Sequence, residues 1–225
     1  IQESELLNAM IEDAATGISQ VTIPRNSIFY AADIPFSLQY PIHIRQLQHG
    51  GLQAVFDATQ SSPLQNLDTN VLPLETVTDA TGVKYIKFSF LATQFDILTR
   101  TTDVNSTGGF TTKIAFDDEF YYCRVYRQDG NGRWVEMQTT FTEMVYDVDT
   151  PTAVLSVDKN TLTCTIPVVY VTTNQVRGKV RIDIYKTKGN ISMYMGDYRP
   201  SDFKAKWLHI DPIDASLEVA AMSKL

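Results

Sequence analysis

The first twenty residues carry the strongest helical pattern in the chain. Apolar residues recur there at intervals of three and four positions, at Leu7, Met10, Ile11, Ala14 and Ile18. This spacing is typical of an amphipathic helix, with Ser4 placed to cap its start and Gly17 to end it. We therefore predict an N-terminal helix within residues 1–19. Its apolar stripe, which includes Leu7 and Ile11, either packs on the core or meets another chain.

From residue 20 onward, short runs rich in Val, Ile, Thr, Tyr and Phe are separated by Gly, Pro, Asn and Asp. This is the composition of strands and turns. Two β-hairpins stand out because glycines separate strand-like runs, at Gly50–Gly51 and at Asp129-Gly-Asn-Gly132. The expected strands are 42–47, 52–57, 83–91, 94–98, 119–127, 133–137, 153–157, 161–171 and 179–187.

A polar and acidic stretch at 147–151, which ends in proline, indicates a domain boundary. It divides the chain into a helical segment, a β-rich domain and a second β-rich lobe, at 1–19, 20–148 and 149–225. The run 201–207, with Ser201 as its cap, predicts a short helix in the last lobe. The expected fold is mainly β with minor α: two β-rich lobes of sandwich-like antiparallel sheets, an N-terminal helix and a short C-terminal helix.

Composition narrows the class of protein. Hydrophobic residues make up 44% of the 225 positions and charged residues 20%, which is ordinary for a folded domain. No apolar run approaches the roughly 20 residues of a membrane-spanning helix. The 19 basic and 26 acidic residues give a net charge of −7 without a basic cluster, which argues against binding to nucleic acid phosphates. The start Ile-Gln-Glu, without a methionine or a signal peptide, predicts a piece of a longer protein.

No sequence motif for catalysis is present. The three histidines, His43, His49 and His209, lack the spacing of a zinc site. Cys123 and Cys164 lie in apolar runs typical of buried free thiols, although the sequence leaves a disulfide between them open. Neither a nucleophile elbow nor a phosphate-binding loop occurs. We therefore expect no catalytic, cofactor-binding or metal-binding residues, no cofactor and no enzyme activity.

Two acidic sequences have more than one interpretation. Asp129, Asn131 and Gly132 match part of a calcium loop, but Arg133 takes the next ligand position and no closing glutamate follows. A tight hairpin explains them without an ion. The sequence Asp117-Asp118-Glu119 leaves a glycoside hydrolase as an alternative. Because adjacent residues of an extended segment point to opposite sides, a solvated loop before a strand is the favoured interpretation.

The aromatic residues favour a binding role. The chain contains 11 Tyr and 11 Phe, of which about half are expected in the interior. The rest, with exposed threonines, suit a surface for another protein. The expected patch lies near the C-terminal end, at Tyr194, Met195, Tyr198 and Trp207, and the alternative is that these side chains cover the core of their lobe. Exposed Tyr and Trp beside Asp and Asn also suit a carbohydrate- or receptor-binding β module of a tail fibre or adhesin.

Several segments resemble proteins of phage baseplates. Residues 21–29, Val-Thr-Ile-Pro-Arg-Asn-Ser-Ile-Phe, are similar to a strand-opening pattern of these proteins. The segments 40–45, 50–57, 62–65 and 178–189 resemble the large baseplate wedge subunit of T4-like contractile-tailed bacteriophages.

The resemblance implies a structural subunit. The family has no known active site or cofactor, and its wedge subunit pairs with itself, as an expected dimer, and with other wedge proteins. Its copies link neighbouring wedges into a ring that rearranges when the sheath contracts. The resemblance also implies a place in the virion, in the tail baseplate, after assembly in the host cytoplasm. Neither nucleic acid nor a membrane span is expected among its partners.

Overall fold

The computed structural model describes residues 1–14, 16–31, 34–56, 71–104, 108–142, 147–191 and 203–206. These residues form several antiparallel sheets and two short helices, one of them near the N-terminus. The predicted fold class, mainly β with minor α, is thereby confirmed. The chain divides into two compact units, residues 1–94 with 191–225, and residues 95–190.

The first unit contains a five-stranded antiparallel sheet. Its elements are α1 (Glu3–Asn8), β1 (Ile11–Glu12), β2 (Ser19–Ile23), β3 (Ile28–Ala31), β4 (Ile34–Ser37), β5 (Ile42–Gln46), β6 (Leu52–Phe56), β7 (Val71–Leu72), β8 (Leu74–Thr78), β9 (Lys84–Phe88) and β18 (Phe203–Lys206). The strands pair in the order β1-β2-β5-β6-β7, with a second sheet β18-β3-β4 and a hairpin β8-β9.

Buried apolar residues alternate with polar ones along β2 and β5, and the buried ones form the core of this unit. Ile23, Ile42 and Ile44 are buried, and the polar residues between them lie on the other side of the sheet. The hairpin predicted at Gly50–Gly51 joins β5 to β6, and this prediction is confirmed. Gly50 has a φ of 80°, a conformation that a side chain would disfavour.

The second unit contains two four-stranded sheets. Its elements are β10 (Asp96–Val104), β11 (Phe110–Ala115), β12 (Glu119–Gln128), β13 (Trp134–Glu136), β14 (Gln138–Thr140), β15 (Thr152–Asp158), β16 (Thr161–Ile166), α2 (Val168–Thr172) and β17 (Gly178–Thr187). One sheet has the antiparallel order β10-β17-β12-β13. The other has the order β11-β16-β15-β14, in which β14 and β15 are parallel.

Both sheets of the second unit contribute to one apolar core. The first supplies Val125, Ile182 and Ile184, and the second supplies Leu155 and Leu162, all almost fully buried. Burying such side chains stabilises a fold by roughly 1.5–3 kcal/mol each relative to exposure. This shared core makes the unit a sandwich of two sheets.

The N-terminal helix is much shorter than predicted. It covers only Glu3–Asn8, follows the cap residue Gln2, and buries Leu6. Ile11 and Glu12 instead pair with Gln20 and Ser19 in an antiparallel ladder. Gly17 does not end a helix but lies in the turn between β1 and β2, with a φ of 66°. A short isolated helix is marginal in water, and cross-strand pairing satisfies the same backbone groups.

The short C-terminal helix predicted at 201–207 is also corrected. Within that run, residues 203–206 form the strand β18, which pairs antiparallel with β3. The backbone groups that a helix would satisfy internally are used across the strands instead. Ser201 and Trp207 lie outside the described residues.

The stretch 147–151, where the sequence predicts a boundary, precedes β15 within the second unit. It is held to the segment around α2, since the Tyr170 hydroxyl donates to the Asp147 carbonyl and Gln175 Nε2 donates to the Val148 carbonyl at 3.0 Å. The strand predicted over 161–171 ends at Ile166, and Pro167 caps α2. Neither described helix has the length and apolar character needed to cross a bilayer.

Candidate interaction face

Successive side chains along each strand of the sheet β10-β17-β12-β13 point to opposite sides, so the sheet has a second face opposite the apolar core. On β17, Val180, Ile182 and Ile184 point into the core, so Arg181, Asp183 and Tyr185 point the other way. The pairing register fixes which residues of neighbouring strands share that side. We call the central part of this side the outer face: Ile97, Thr99, Thr101, Tyr122, Arg124, Tyr126, Trp134, Glu136, Arg181, Asp183 and Tyr185.

Two ion pairs fix the charged side chains of the outer face. Arg124 Nη1 donates to both carboxylate oxygens of Glu136, at 3.0 and 2.9 Å. Asp183 lies directly opposite Arg124 on the next strand. It accepts a hydrogen bond from the Thr99 hydroxyl at 2.8 Å and approaches Arg181 Nη2 at 3.4 Å. Each acid therefore has a basic partner, which limits the free-energy cost of burial.

Aromatic rings separate these charges. The Arg181 guanidinium lies over the rings of Tyr126 and Trp134, at 4.2 and 5.3 Å from their centroids. The Arg124 guanidinium lies 5.7 Å from the Tyr122 centroid. Such cation–π contacts contribute about 0.5–2 kcal/mol each. They also hold the rings and guanidinium groups in a fixed order across the sheet.

The outer face is well packed. Arg124 is 5% exposed and Asp183 is 3% exposed, while Trp134 and Arg181 are half-buried. Burial raises the pKa of the Tyr122 hydroxyl above its ordinary value. Arg181 Nε is buried and has no hydrogen-bond acceptor among the residues that the structure describes.

Tyr, Trp and Arg are the residues that dominate the binding energy of protein interfaces. The outer face contains these types in a fixed arrangement, with polar groups at defined positions between them. Its neutral charge balance, two acids and two arginines, makes it suited to a polar and aromatic contact rather than to phosphate binding. No pair of free carboxylates is part of it, since both acids engage arginine.

Of the residues predicted as an interface from the sequence, Leu7 and Ile11 are described, and neither is part of the outer face. Leu7 is exposed on α1, beside the buried Leu6, and Ile11 is 77% exposed on β1. Both stay candidates for a contact, in the first unit. The predicted patch at Tyr194, Met195, Tyr198 and Trp207 lies outside the described residues.

The acidic sequence before β12 is paired with lysines. Lys186 donates to Asp117 Oδ1, and this hydrogen bond holds the pKa of Asp117 below its ordinary value. Lys188 donates to Asp118 Oδ1 at 2.9 Å. Asp118 has a φ of 63°, so the segment turns here instead of extending, and Glu119 begins β12.

Asp129 organises the hairpin between β12 and β13. Its Oδ1 accepts hydrogen bonds from the backbone N–H groups of Asn131 and Arg133, each at 2.8 Å. The bond from Arg133 is the main cause of a lowered pKa of Asp129. The residues that match part of a calcium loop thus form the predicted hairpin turn. Across the described ranges, no three His, Cys, Asp or Glu side chains are grouped to hold a metal ion.

Cys123 and Cys164 are both buried and unpaired, which confirms the predicted free thiols. Burial raises the pKa of both thiols, that of Cys164 to about 12. They are therefore protonated at neutral pH and unreactive as nucleophiles.

Sequence reasoning missed the outer face although its strands were predicted. The alternation of β17, with Arg181, Asp183 and Tyr185 between apolar residues, is typical of a solvated face. Only the register, which places Arg124 opposite Asp183 and Tyr126 opposite Arg181, brings these residues together.

Comparisons of the chain with protein-family models, curated proteins and solved structures find no match.

Proposed function

We propose that this chain is a structural subunit of a contractile-tail baseplate wedge, which associates with itself and with other wedge proteins and catalyses no reaction. The outer face is the observation that carries this proposal. It offers the half-buried Trp134 and Arg181, with the buried Tyr126 beneath the Arg181 guanidinium, and these are residue types of protein–protein contacts. Its two arginines form ion pairs with Glu136 and Asp183, so these carboxylates are engaged in the packing of the face.

The segments that resemble wedge subunits support the same function. Residues 21–29 run from β2 into β3, and 40–45 and 50–57 include the hairpin β5-β6. Residues 178–189 include β17, the central strand of the outer face. The resemblance therefore concerns sheet-forming segments, as expected for a protein whose role is to present rigid surfaces.

Sedimentation tests the self-association that this function requires. A stable contact between copies is expected to bury more than roughly 1,000 Å², so the average mass should rise above the 25.3 kDa of one chain as concentration increases. A mass that stays at that of a single chain at every concentration would contradict the proposal.

A carbohydrate- or receptor-binding β module is the second candidate, and the half-buried Trp134 beside Glu136 favours it. Sugars stack on aromatic rings and accept or donate hydrogen bonds at neighbouring polar groups. A glycan array with the unaltered chain and with Trp134→Ala tests this role. Binding that disappears in the variant would support it, and an array without signal would remove it.

A further inference from the structure

Strand β10 is the longest edge strand among the described residues. It runs at one side of its sheet, beside β17, over nine consecutive pairs from Asp96–Lys186 to Val104–Gly178 without a bulge. It contains neither proline nor lysine. Proteins usually block such edges with charged side chains (lysines above all), prolines or bulges, since an open edge is a template for another strand. Of these features β10 has only the charges of Asp96, Arg100 and Asp103, which are of both signs.

Two backbone groups on this edge bond to side chains of the same strand. The Ile97 N–H donates to Asp96 Oδ1 at 2.8 Å, and the Thr99 carbonyl accepts a long bond of 3.5 Å from Arg100 Nη1. Because neighbouring residues of an antiparallel strand alternate between inward and outward backbone groups, Ile97 and Thr99 both face away from β17. Within the part of the chain that the structure describes, no strand pairs with this edge, and the side chains of Asp96 and Arg100 bond to these two groups instead.

We infer that a second copy of this chain pairs its β10 with this β10, antiparallel across a two-fold axis at Leu98. In this register Leu98 lies opposite Leu98 of the second copy, Ile97 opposite Thr99, and Asp96 opposite Arg100. Ile97 and Thr99 then exchange backbone hydrogen bonds with their counterparts. The two sheets become one continuous sheet of eight strands.

Charge complementarity favours this register over one with the axis at Arg100. An axis at Arg100 would place two guanidinium groups directly opposite each other, which is destabilising. An axis at Leu98 gives two symmetric Asp96–Arg100 pairs instead. In the single copy these two side chains bond to the outward groups of Ile97 and Thr99, and the Asp96 carboxylate also lies 4.0 Å from Lys186 Nζ. When a second strand replaces the bonds to the backbone, the Asp96 carboxylate of one copy can turn to the Arg100 guanidinium of the other.

The pairing also enlarges two features of the second unit. Leu98 packs at the margin of the apolar core, so its contact with Leu98 of the second copy extends that core across the axis. The outer faces of the two copies, which include Ile97 and Thr99, become one surface for other proteins. This inference rests on the self-association in the proposed function and names the surface responsible for it.

Two charge-reversal variants, Asp96→Arg and Arg100→Asp, test the pairing. The self-association of each variant is measured alone and then in a mixture of the two. Asp96→Arg alone creates two Arg–Arg pairs in a dimer, and Arg100→Asp alone creates two Asp–Asp pairs. Each is expected to weaken self-association at least tenfold. In a mixture, the two basic side chains of the first variant face the two acidic side chains of the second, so heterodimers should form about as well as the original dimer. Sedimentation of the single variants and of the mixture measures this.

The matched control is Asp103→Arg. It makes the same charge change on the same strand, opposite Lys179 in the copy's own sheet as Asp96 is opposite Lys186, but lies outside the paired stretch. Its self-association should equal that of the unaltered chain. A variant that fails to fold would not recover on mixing, so recovery reports pairing alone.

The outcomes separate this inference from the proposed function. Recovery in the mixture, with unchanged association of the control, supports pairing through β10. If the chain self-associates but neither variant weakens it, pairing through β10 is overturned and the proposed function stands. If the variants do weaken it but the mixture does not recover, the register at Leu98 is overturned. A chain that is monomeric at every concentration overturns both.

Discussion

The two faces of the sheet β10-β17-β12-β13 are built from alternate residues of the same strands, yet their chemistry differs. On β17 the inner residues Val180, Ile182 and Ile184 are fully buried and apolar. The outer residue Asp183 is nearly as buried, at 3% exposure, but charged. The inner face loses contact with water because a second sheet covers it. The outer face keeps its charges although they are buried, because ion pairs and ring contacts hold them.

This difference separates stability from specificity. Apolar burial stabilises the fold by about 25 cal/mol per Å². A buried ion pair gains little net free energy, because removing both charges from water offsets their attraction. The inner face therefore determines whether the unit folds, whereas the outer face contributes a fixed pattern of rings and charges. A surface that recognises a partner needs such a fixed arrangement of rings and charges, even where the arrangement adds little to the stability of the fold.

The largest expected effect lies on the inner face. Ile182→Ala leaves a cavity in the shared core, and we expect it to lower the free energy of unfolding by about 2–5 kcal/mol. Denaturant-induced unfolding measures the change. Thr101→Ala, on the exposed part of the outer face, is the control and should change stability by no more than about 0.5 kcal/mol. Equal losses in both variants would contradict the distinction between the faces.

A smaller effect is expected from the ion pair of the outer face. Glu136→Gln leaves the guanidinium of Arg124 without its carboxylate. Since Glu136 is 39% exposed, we expect a loss of about 1–2 kcal/mol rather than the roughly 3–5 kcal/mol of a fully buried pair. The double variant Arg124→Met with Glu136→Leu should return to within about 1 kcal/mol of the unaltered chain. A double variant less stable than Glu136→Gln would show that the pair itself stabilises the fold.

The smallest effect concerns the turn that positions β13. The pKa of Asp129 is lowered in the folded chain, so its carboxylate stabilises the turn above the ordinary value of 3.8, and this contribution is lost as the pH falls through the folded value. Asp129→Asn keeps the acceptor oxygen but does not titrate. Urea unfolding between about pH 5 and pH 2 should show a steeper loss of stability for the unaltered chain. Parallel curves would contradict the role of the carboxylate.

Local patterns predicted the elements with clear signals. Glycines at positions that demand a positive φ located the hairpins at Gly50 and around Asp129. The β-rich composition located nine of the eighteen strands in the described part of the chain, the longest ones among them. The spacing of apolar residues near the N-terminus predicted a helix that is too long. Ile11 pairs with Gln20 in a strand ladder instead, and the spacing of nearby apolar residues does not show such a pairing.

The outer face could not be predicted, for the same physical reason. Arg124 and Asp183 are 59 positions apart in the sequence, and nothing local to either one indicates that they meet. Their register depends on the strand pairing of the whole unit. The edge position of β10 likewise follows from the strand order, and the sequence of β10 itself does not indicate it.

Hydrogen–deuterium exchange in dilute and in concentrated solution tests most directly whether this chain is built to assemble. We expect the amides of Ile97 and Thr99 on β10 to exchange more slowly at high concentration, because they then bond to a second copy. Those of β11, at the edge of the other sheet of the same unit, should exchange at an unchanged rate and serve as the internal control. Exchange that is independent of concentration throughout the chain would contradict the account.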